Sequence, residues 1–272
     1  PSPASYRAAF VEFIHCLREG GTLLAGYDDA TSRSLLHQAG ENARTCSFGL
    51  NSAADYSVDQ LHPNQLGGFS FNMLHNGQKL AEVTLQVPGA HNASNALAAL
   101  AAIDQLHLNV EDAAHAMQYF TGTGRRFDIL GEAAGVTVVN DYGHHPTEIR
   151  ATLAAARSRY PERRIWAVWQ PHTYSRTEML MDEFATCFND ADEIIVTEIY
   201  ASREKVATYS VKDILAHMPA RAYSLPTFPA ISADLLGKLQ PDDVLIVFSA
   251  GDADQISSTV LTTLQTQEQA HD

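Results

Sequence analysis

Apolar residues in the second half of the chain fall in short unbroken runs near 136–140, 164–169, 193–198, 221–224 and 243–248. Between and after them lie segments with helical spacing, near 146–160, 177–189, 210–217, 228–238 and 253–266. Apolar strands alternating with helices at this interval predict a mostly parallel sheet covered on both faces. The first half is patterned differently. Residues 6–18 predict an amphipathic helix with Phe10, Phe13, Ile14 and Leu17 on one face, ended by Gly20-Gly21. A short buried strand at 22–25, a helix at 31–38 and a strand at 45–48 follow. Residues 55–87 then alternate, and Asn76-Gly77 is a strong hairpin signal, so a small antiparallel sheet is expected there. Ala-rich helices are expected at about 92–106 and 110–119. Thr121-Gly-Thr-Gly124 reads as a linker. The chain is therefore α/β, in two domains, 1–122 and 123–272.

With 272 residues, 45% of them hydrophobic, the chain can bury a sizeable core. A net charge of −14 argues against a nucleic-acid or membrane-surface protein. It leaves room for an anionic small molecule held in a local Arg/His pocket. Cys16, Cys46 and Cys187 are odd in number and far apart, which fits reduced core thiols in a cytosolic, cytoplasmic protein. No apolar run reaches the length of a membrane span. No signal peptide is evident, and the chain opens at Pro1, with a helix beginning near Ser2. A piece of a larger protein is expected.

Four clusters carry candidate chemistry. Residues 140–148 read Asn-Asp-Tyr-Gly-His-His-Pro-Thr-Glu, between a buried strand and a helix whose first turn can hold Pro146. An acid, a phenol and two imidazoles thus sit at the carboxyl end of a strand, where open α/β sheets bind ligands. Asp141 is a candidate acceptor for ribose hydroxyls, and His144 and His145 are candidates for anion binding or proton transfer. A polar loop with no ligand is the plain alternative. Residues 169–177, Trp-Gln-Pro-His-Thr-Tyr-Ser-Arg-Thr, follow the next strand and bring His172 and Arg176 toward the same crevice. Asn92 and Asn95, three apart at a helix start, suit the adenine edge, because an amide both donates and accepts. The alternative for Asn92 is a helix cap. Arg125-Arg126 can clamp phosphate, or form a solvated basic pair. Ser249-Ala-Gly251-Asp252 and the polar loop 197–204 say less. A metal site on His144, His145 and Glu148 is discounted, because adjacent histidines in a tight turn point apart and no further ligand is evident.

With Gly-x-His-Asn-x-x-Asn at 89–95, Arg-Arg-Phe at 125–127, Asp-Tyr-Gly-His-His-Pro-Thr-Glu at 141–148 and Gln-Pro-His-x-Tyr-x-Arg-Thr at 170–177, the chain resembles the Mur ligases over essentially its whole length. These are ATP-dependent amide-forming enzymes of peptidoglycan synthesis. The resemblance implies most of the family's central ATPase-type domain, followed by its Rossmann-like C-terminal domain. It implies that Asn92 and Asn95 hold adenine and that Arg126 and Asp141 reach the ribose and phosphates. Tyr142, His144 and Arg176 would line the amino-acid pocket, with His144 and Arg176 on the substrate carboxylate and His172 beside them. His144, His172 and Arg176 are the candidate catalytic residues. The branch implied joins L-alanine to UDP-N-acetylmuramate through an acyl phosphate, using ATP and Mg2+.

Two departures matter. Position 173 is Thr, where many members carry a further Arg. No Gly-x-x-x-x-Gly-Lys-Ser/Thr occurs, so the phosphate cradle is absent from this sequence. The UDP-binding domain and the magnesium ligands are expected upstream, and the chain alone is expected to be inactive. A recycling branch that adds a tripeptide to the same UDP-sugar is the nearest rival, and Gly143 and His172 favour the alanine branch. A non-catalytic adenine-nucleotide-binding module and a metal hydrolase are rivals of other classes.

Overall fold

The computed structural model describes residues 2–41, 43–51, 53–205 and 208–270. It divides into two compact units, Pro1–Thr121 and Gly122–Asp272. No helix among the described residues is long and apolar enough to cross a membrane.

The first unit is built on one five-stranded sheet in the order β1 (Thr22–Gly26), β2 (Arg44–Phe48), β3 (Tyr56–Pro63), β4 (Phe69–His75) and β5 (Gln78–Thr84). The expected antiparallel sheet is its β3–β4–β5 part, and Asn76 and Gly77 take the left-handed φ values of 50° and 80° that a tight hairpin turn needs. That part is not separate. β2 joins β3 in parallel through the single pair Phe48–Tyr56, fused where Asp55 accepts from the Ser47 N–H and hydroxyl. Helix α1 (Pro3–His15) precedes the sheet, capped by Ser2, and α2 (Ala30–Leu35) follows β1. The apolar face expected on α1 is only partly covered: Ile14 is buried, but Phe10 and Phe13 are exposed. Helix α3 (Ala90–Gln105) covers the sheet with Ala93, Ala96, Leu97, Leu100 and Ala101, the 3-4 spacing of a single buried stripe. The Tyr56 hydroxyl donates to Asp104 at 2.6 Å and accepts from Gln105 at 2.8 Å, tying α3 to β3. Helix α4 (Val110–Met117) completes the unit, and Asn109 caps it.

The second unit is a three-layer α/β/α sandwich. Its strands are β6 (Asp128–Ala133), β7 (Val136–Asp141), β8 (Ile165–Trp169), β9 (Glu193–Val196), β10 (Ala222–Ser224) and β11 (Val244–Phe248). They lie in the order β10-β9-β8-β11-β7-β6, parallel except for β6. Strands β7, β8 and β11 are buried at every position, which explains their unbroken apolar runs. On one face pack α5 (Pro146–Arg159), α6 (Tyr174–Met179), α7 (Met181–Phe184) and α8 (Val211–His217). On the other pack α9 (Phe228–Lys238) and α10 (Asp254–Gln269). At the amino ends of the strands Arg164 forks onto Asp243 at 2.6 and 2.9 Å, and Trp166 Nε1 donates to the same carboxylate.

Three expectations are corrected. β6 is an unpredicted antiparallel edge strand; Ile129 and Leu130 are both exposed and Gly131 sits at a bulge, so no alternation marks it. The helix expected at 177–189 is two short helices broken at Leu180. The cysteines are free, but only Cys187 is a core thiol, its pKa pushed up to about 12 by burial; Cys46 is half-buried and Cys16 exposed.

Candidate functional site

In the second unit the carboxyl ends of β7, β11 and β8 lie side by side, with β11 between the two strands whose loops carry the histidines. The turn after β7 is organised by Asp141. It is 5% exposed, and both of its oxygens take protein donors: Oδ1 the Gly143 N–H at 2.7 Å, Oδ2 the Phe127 N–H at 2.9 Å and the Thr152 hydroxyl at 3.2 Å. Burial pushes its pKa up, against the pull of those hydrogen bonds. A carboxylate has about four acceptor positions and three are filled. Asp141 is therefore first an internal clamp on the Arg125-Arg126-Phe127 segment, a role the sequence reading did not give it. Gly143 has no room for a side chain: a Cβ would meet Asp141 Oδ1 at 2.7 Å and Phe248 at 3.2 Å.

Glu148 closes the other side of the turn. Its Oε2 accepts from the His144 and His145 N–H groups at 3.0 and 3.2 Å, completing a capping box in which His145 is the N-cap of α5 and Pro146 the first helical residue. Burial raises the Glu148 pKa, but these N–H groups and the charges of His144 and Arg126 outweigh it and hold it below the ordinary value. Glu148 also pairs with Arg126 at 3.5 Å. His145 and Glu148 thus serve the helix start. Among the described residues no group of three or more His, Cys, Asp or Glu side chains is placed to hold a metal ion.

Tyr142, His144, His172 and Arg176 come together. The rings of Tyr142 and His144 meet edge-on at 5.5 Å, and those of His144 and His172 lie 6.0 Å apart. His144 Nδ1 is 3.0 Å from the Tyr142 carbonyl, so Nδ1 carries a proton and the neutral ring presents Nε2 as an acceptor. His172 Nδ1 is 3.4 Å from an Arg176 N–H, so Nδ1 accepts and Nε2 carries the proton. Burial, then the charges of Arg176 and His144, lower the His172 pKa below 6.5 and keep this ring neutral near pH 7. Two imidazoles of opposite polarity and a guanidinium therefore share one patch. Thr173, between His172 and Arg176, has a left-handed φ of 69°. Arg126, predicted with Asp141 to reach the ribose and phosphates, is exposed and lies 5.6 Å from the Tyr142 ring centroid.

Several further residues surround this patch, in roles that the sequence did not assign them. Tyr200 stacks on His172 at 5.5 Å, and Glu204 accepts from the Ser175 N–H and hydroxyl, which latches loop 197–204 onto α6. Arg125 stacks on Tyr142 at 4.8 Å and donates to the Ser249 carbonyl at 2.7 Å. Gln170 is 3% exposed and binds the turn after β11. The Arg125 and Gln170 contacts depend on β11 lying between β7 and β8, a neighbour relation that local sequence does not encode.

In the first unit Asn92 and Asn95 line a pocket of about 260 Å³, otherwise walled by Leu85, Val87, Ala96, Ala99, Met117 and Phe120. The cap of α3 is Gly89, at a left-handed φ of 94°, so Asn92 is not the helix cap. Asn92 instead donates to the Pro88 carbonyl at 2.8 Å, and its Oδ1 lies 3.4 Å from Asn95 Nδ2.

Family models match both units: the Mur ligase middle domain over residues 2–103, and the Mur ligase glutamate ligase domain over residues 125–251. The chain belongs to the Mur ligase family. Among its relatives, the UDP-N-acetylmuramate--L-alanine ligase of Acetivibrio thermocellus is 40% identical over 259 residues, 93% of this chain and 54% of that protein. The crystal structure of UDP-N-acetylmuramate-alanine ligase MurC from Thermotoga maritima superposes with a TM-score of 0.76 at 26% identity, covering 98% of this chain and 56% of that one. The MurF ligase of Thermotoga maritima, solved in complex with ADP, shares the fold with a TM-score of 0.69 at 17% identity, covering 94% and 55%. The chain spans about half the length of the curated relatives it matches.

Proposed function

We propose that this chain is the middle and C-terminal portion of an ATP-dependent ligase that joins L-alanine to UDP-N-acetylmuramate in peptidoglycan synthesis. The observation that carries the reading is the polarity of the patch at His144, His172 and Arg176. An amino acid presents a carboxylate and an amine. Arg176 suits the carboxylate through a charge-assisted pair, and the His172 Nε2–H adds a neutral donor. Neutral His144 offers Nε2 as an acceptor for the amine; protonated, it gives the carboxylate a second donor. In the reaction an acyl phosphate of the muramyl carboxylate is attacked by the L-alanine amine. The C–N bond forms, inorganic phosphate leaves, and His144 Nε2 takes the amine proton. Tyr142 lines the same pocket.

The pocket at Asn92 and Asn95 fits a purine, with apolar walls for its faces and amides for its edge. Arg126 would reach the phosphates. Asp141 keeps one acceptor position for the ribose. Mg2+ would supply charge neutralisation to the phosphates, and among the described residues none is assigned to hold it. A cytoplasmic location follows from the use of ATP. Forming the acyl phosphate needs a phosphate cradle that this sequence lacks, so the chain alone binds nucleotide weakly and ligates nothing. Equilibrium dialysis with ATP tests the adenine pocket. Asn95→Ala should weaken binding about 3- to 10-fold, the worth of a hydrogen bond or two; equal binding by both proteins would remove the pocket from the account.

A further inference from the structure

The turn after β11, residues 249–252, sits between the two tyrosines that back the histidines. From inside, Gln170 Oε1 accepts from the Ser249 hydroxyl at 2.7 Å and from the Asp252 and Ala253 N–H groups at 3.1 and 3.2 Å. Its Nε2 donates to Asp252 Oδ1 at 2.7 Å. Ser249 Oγ in turn accepts from the Gly251 and Ala253 N–H groups. From the other side, Arg125 donates to the Ser249 carbonyl at 2.7 Å and to the Gly251 carbonyl at 3.4 Å, with Asp254 at 4.0 Å. The packing is close. A Cβ on Gly251 would meet Gln170 Oε1 at 2.5 Å and the Tyr200 ring at 2.8 Å. Tyr200 leans on this turn and stacks on His172; Arg125 leans on it and stacks on Tyr142, which meets His144 edge-on.

We propose that Gln170 is a positioning residue: by locking the turn at 249–252 it sets Tyr200 against His172 and, through Arg125, Tyr142 against His144. No other side-chain type serves as well. The position needs a buried group that accepts three hydrogen bonds and donates one to a carboxylate, and a neutral amide does both with no buried charge. That these histidines act on an amino acid rests on the preceding reading, but the coupling between Gln170 and the rings does not.

Histidine ring resonances of the intact chain, followed against pH, test it without any ligand. His172 is faced by Arg176 from α6, His144 from the β7 loop and Glu204 from the latched loop, and Tyr200 covers its ring. Backbone hydrogen bonds with Pro171 and Thr173, each 2.9 Å, keep the Tyr200 main chain beside His172. In Gln170→Ala it is therefore the Tyr200 ring that is expected to tilt off His172; the His172 resonance then loses part of its ring-current displacement and its midpoint rises by roughly half a pH unit as water returns. Ser249→Ala, which removes only the bridging hydroxyl, should give a smaller change in the same direction and decides the matter if Gln170→Ala does not fold. Asp243→Asn serves as a control, weakening the same unit at the opposite end of the sheet and leaving His172 where it was. A folded Gln170→Ala or Ser249→Ala protein with His172 unmoved, or the same shift in Asp243→Asn, would overturn the proposal. L-alanine-induced shifts at His144 and His172 in the unmodified chain report on the amino-acid reading separately.

Discussion

Arg176 and His172 form a pair in which the cation donates to the imidazole, and this sets how the site responds to pH. A His whose folded pKa lies below its unfolded value favours the fold when neutral. That contribution is present above about pH 6.5 and is lost as pH falls through the lowered folded value. Replacing Arg176 by Ala removes one of the two charges that lower His172, so its midpoint should rise, as a histidine titration would show. In a ligation-competent protein the same change should raise the KM for L-alanine roughly 10- to 100-fold, the worth of a charged hydrogen bond or two. The residue types of the site were legible because polar and basic side chains interrupt apolar strands. Their pairing was not. Which lone pair of Asp141 is already used, or which nitrogen of His144 carries a proton, depends on backbone groups such as the Phe127 N–H and the Tyr142 carbonyl.

At the level of elements, the histidine loop holds its shape through the start of α5. Glu148 accepts two N–H groups there and its pKa is depressed, so its contribution is present above about pH 4.5 and lost as pH falls through the lower folded value. Glu148→Gln should therefore flatten the fall in stability of this unit as pH drops below about 4.5, measured by urea unfolding across the acid range. At the other end of the sheet, Asp243 is buried under Arg164 and Trp166. Breaking that pair leaves an arginine without its partner, and Asp243→Asn should cost about 3 kcal/mol in the same assay. Strands β7, β8 and β11 were readable as apolar runs because both of their faces are buried. β6 was not, because an edge strand with exposed Ile129 and Leu130 lacks alternation. Nor was the return of β11 between β7 and β8, and that return is what brings Ser249 and Gly251 to Gln170.

For the whole molecule, two family models in register with two compact units, together with relatives about twice its length, frame what this chain does. The proposed reading assigns a purine to the pocket at Asn92 and Asn95 in the first unit and an amino acid to the patch at His144, His172 and Arg176 in the second. The four motifs made the family legible from sequence alone, since together they are specific where singly only the one at 141–148 is. The chain by itself should release no phosphate from ATP. The most direct test joins it to an upstream segment bearing the phosphate cradle and follows phosphate release with ATP and UDP-N-acetylmuramate, offering either L-alanine or the tripeptide. Release with L-alanine, lost in Arg176→Ala at limiting amino acid, is the predicted result; release with the tripeptide alone, or with neither, would contradict the assignment.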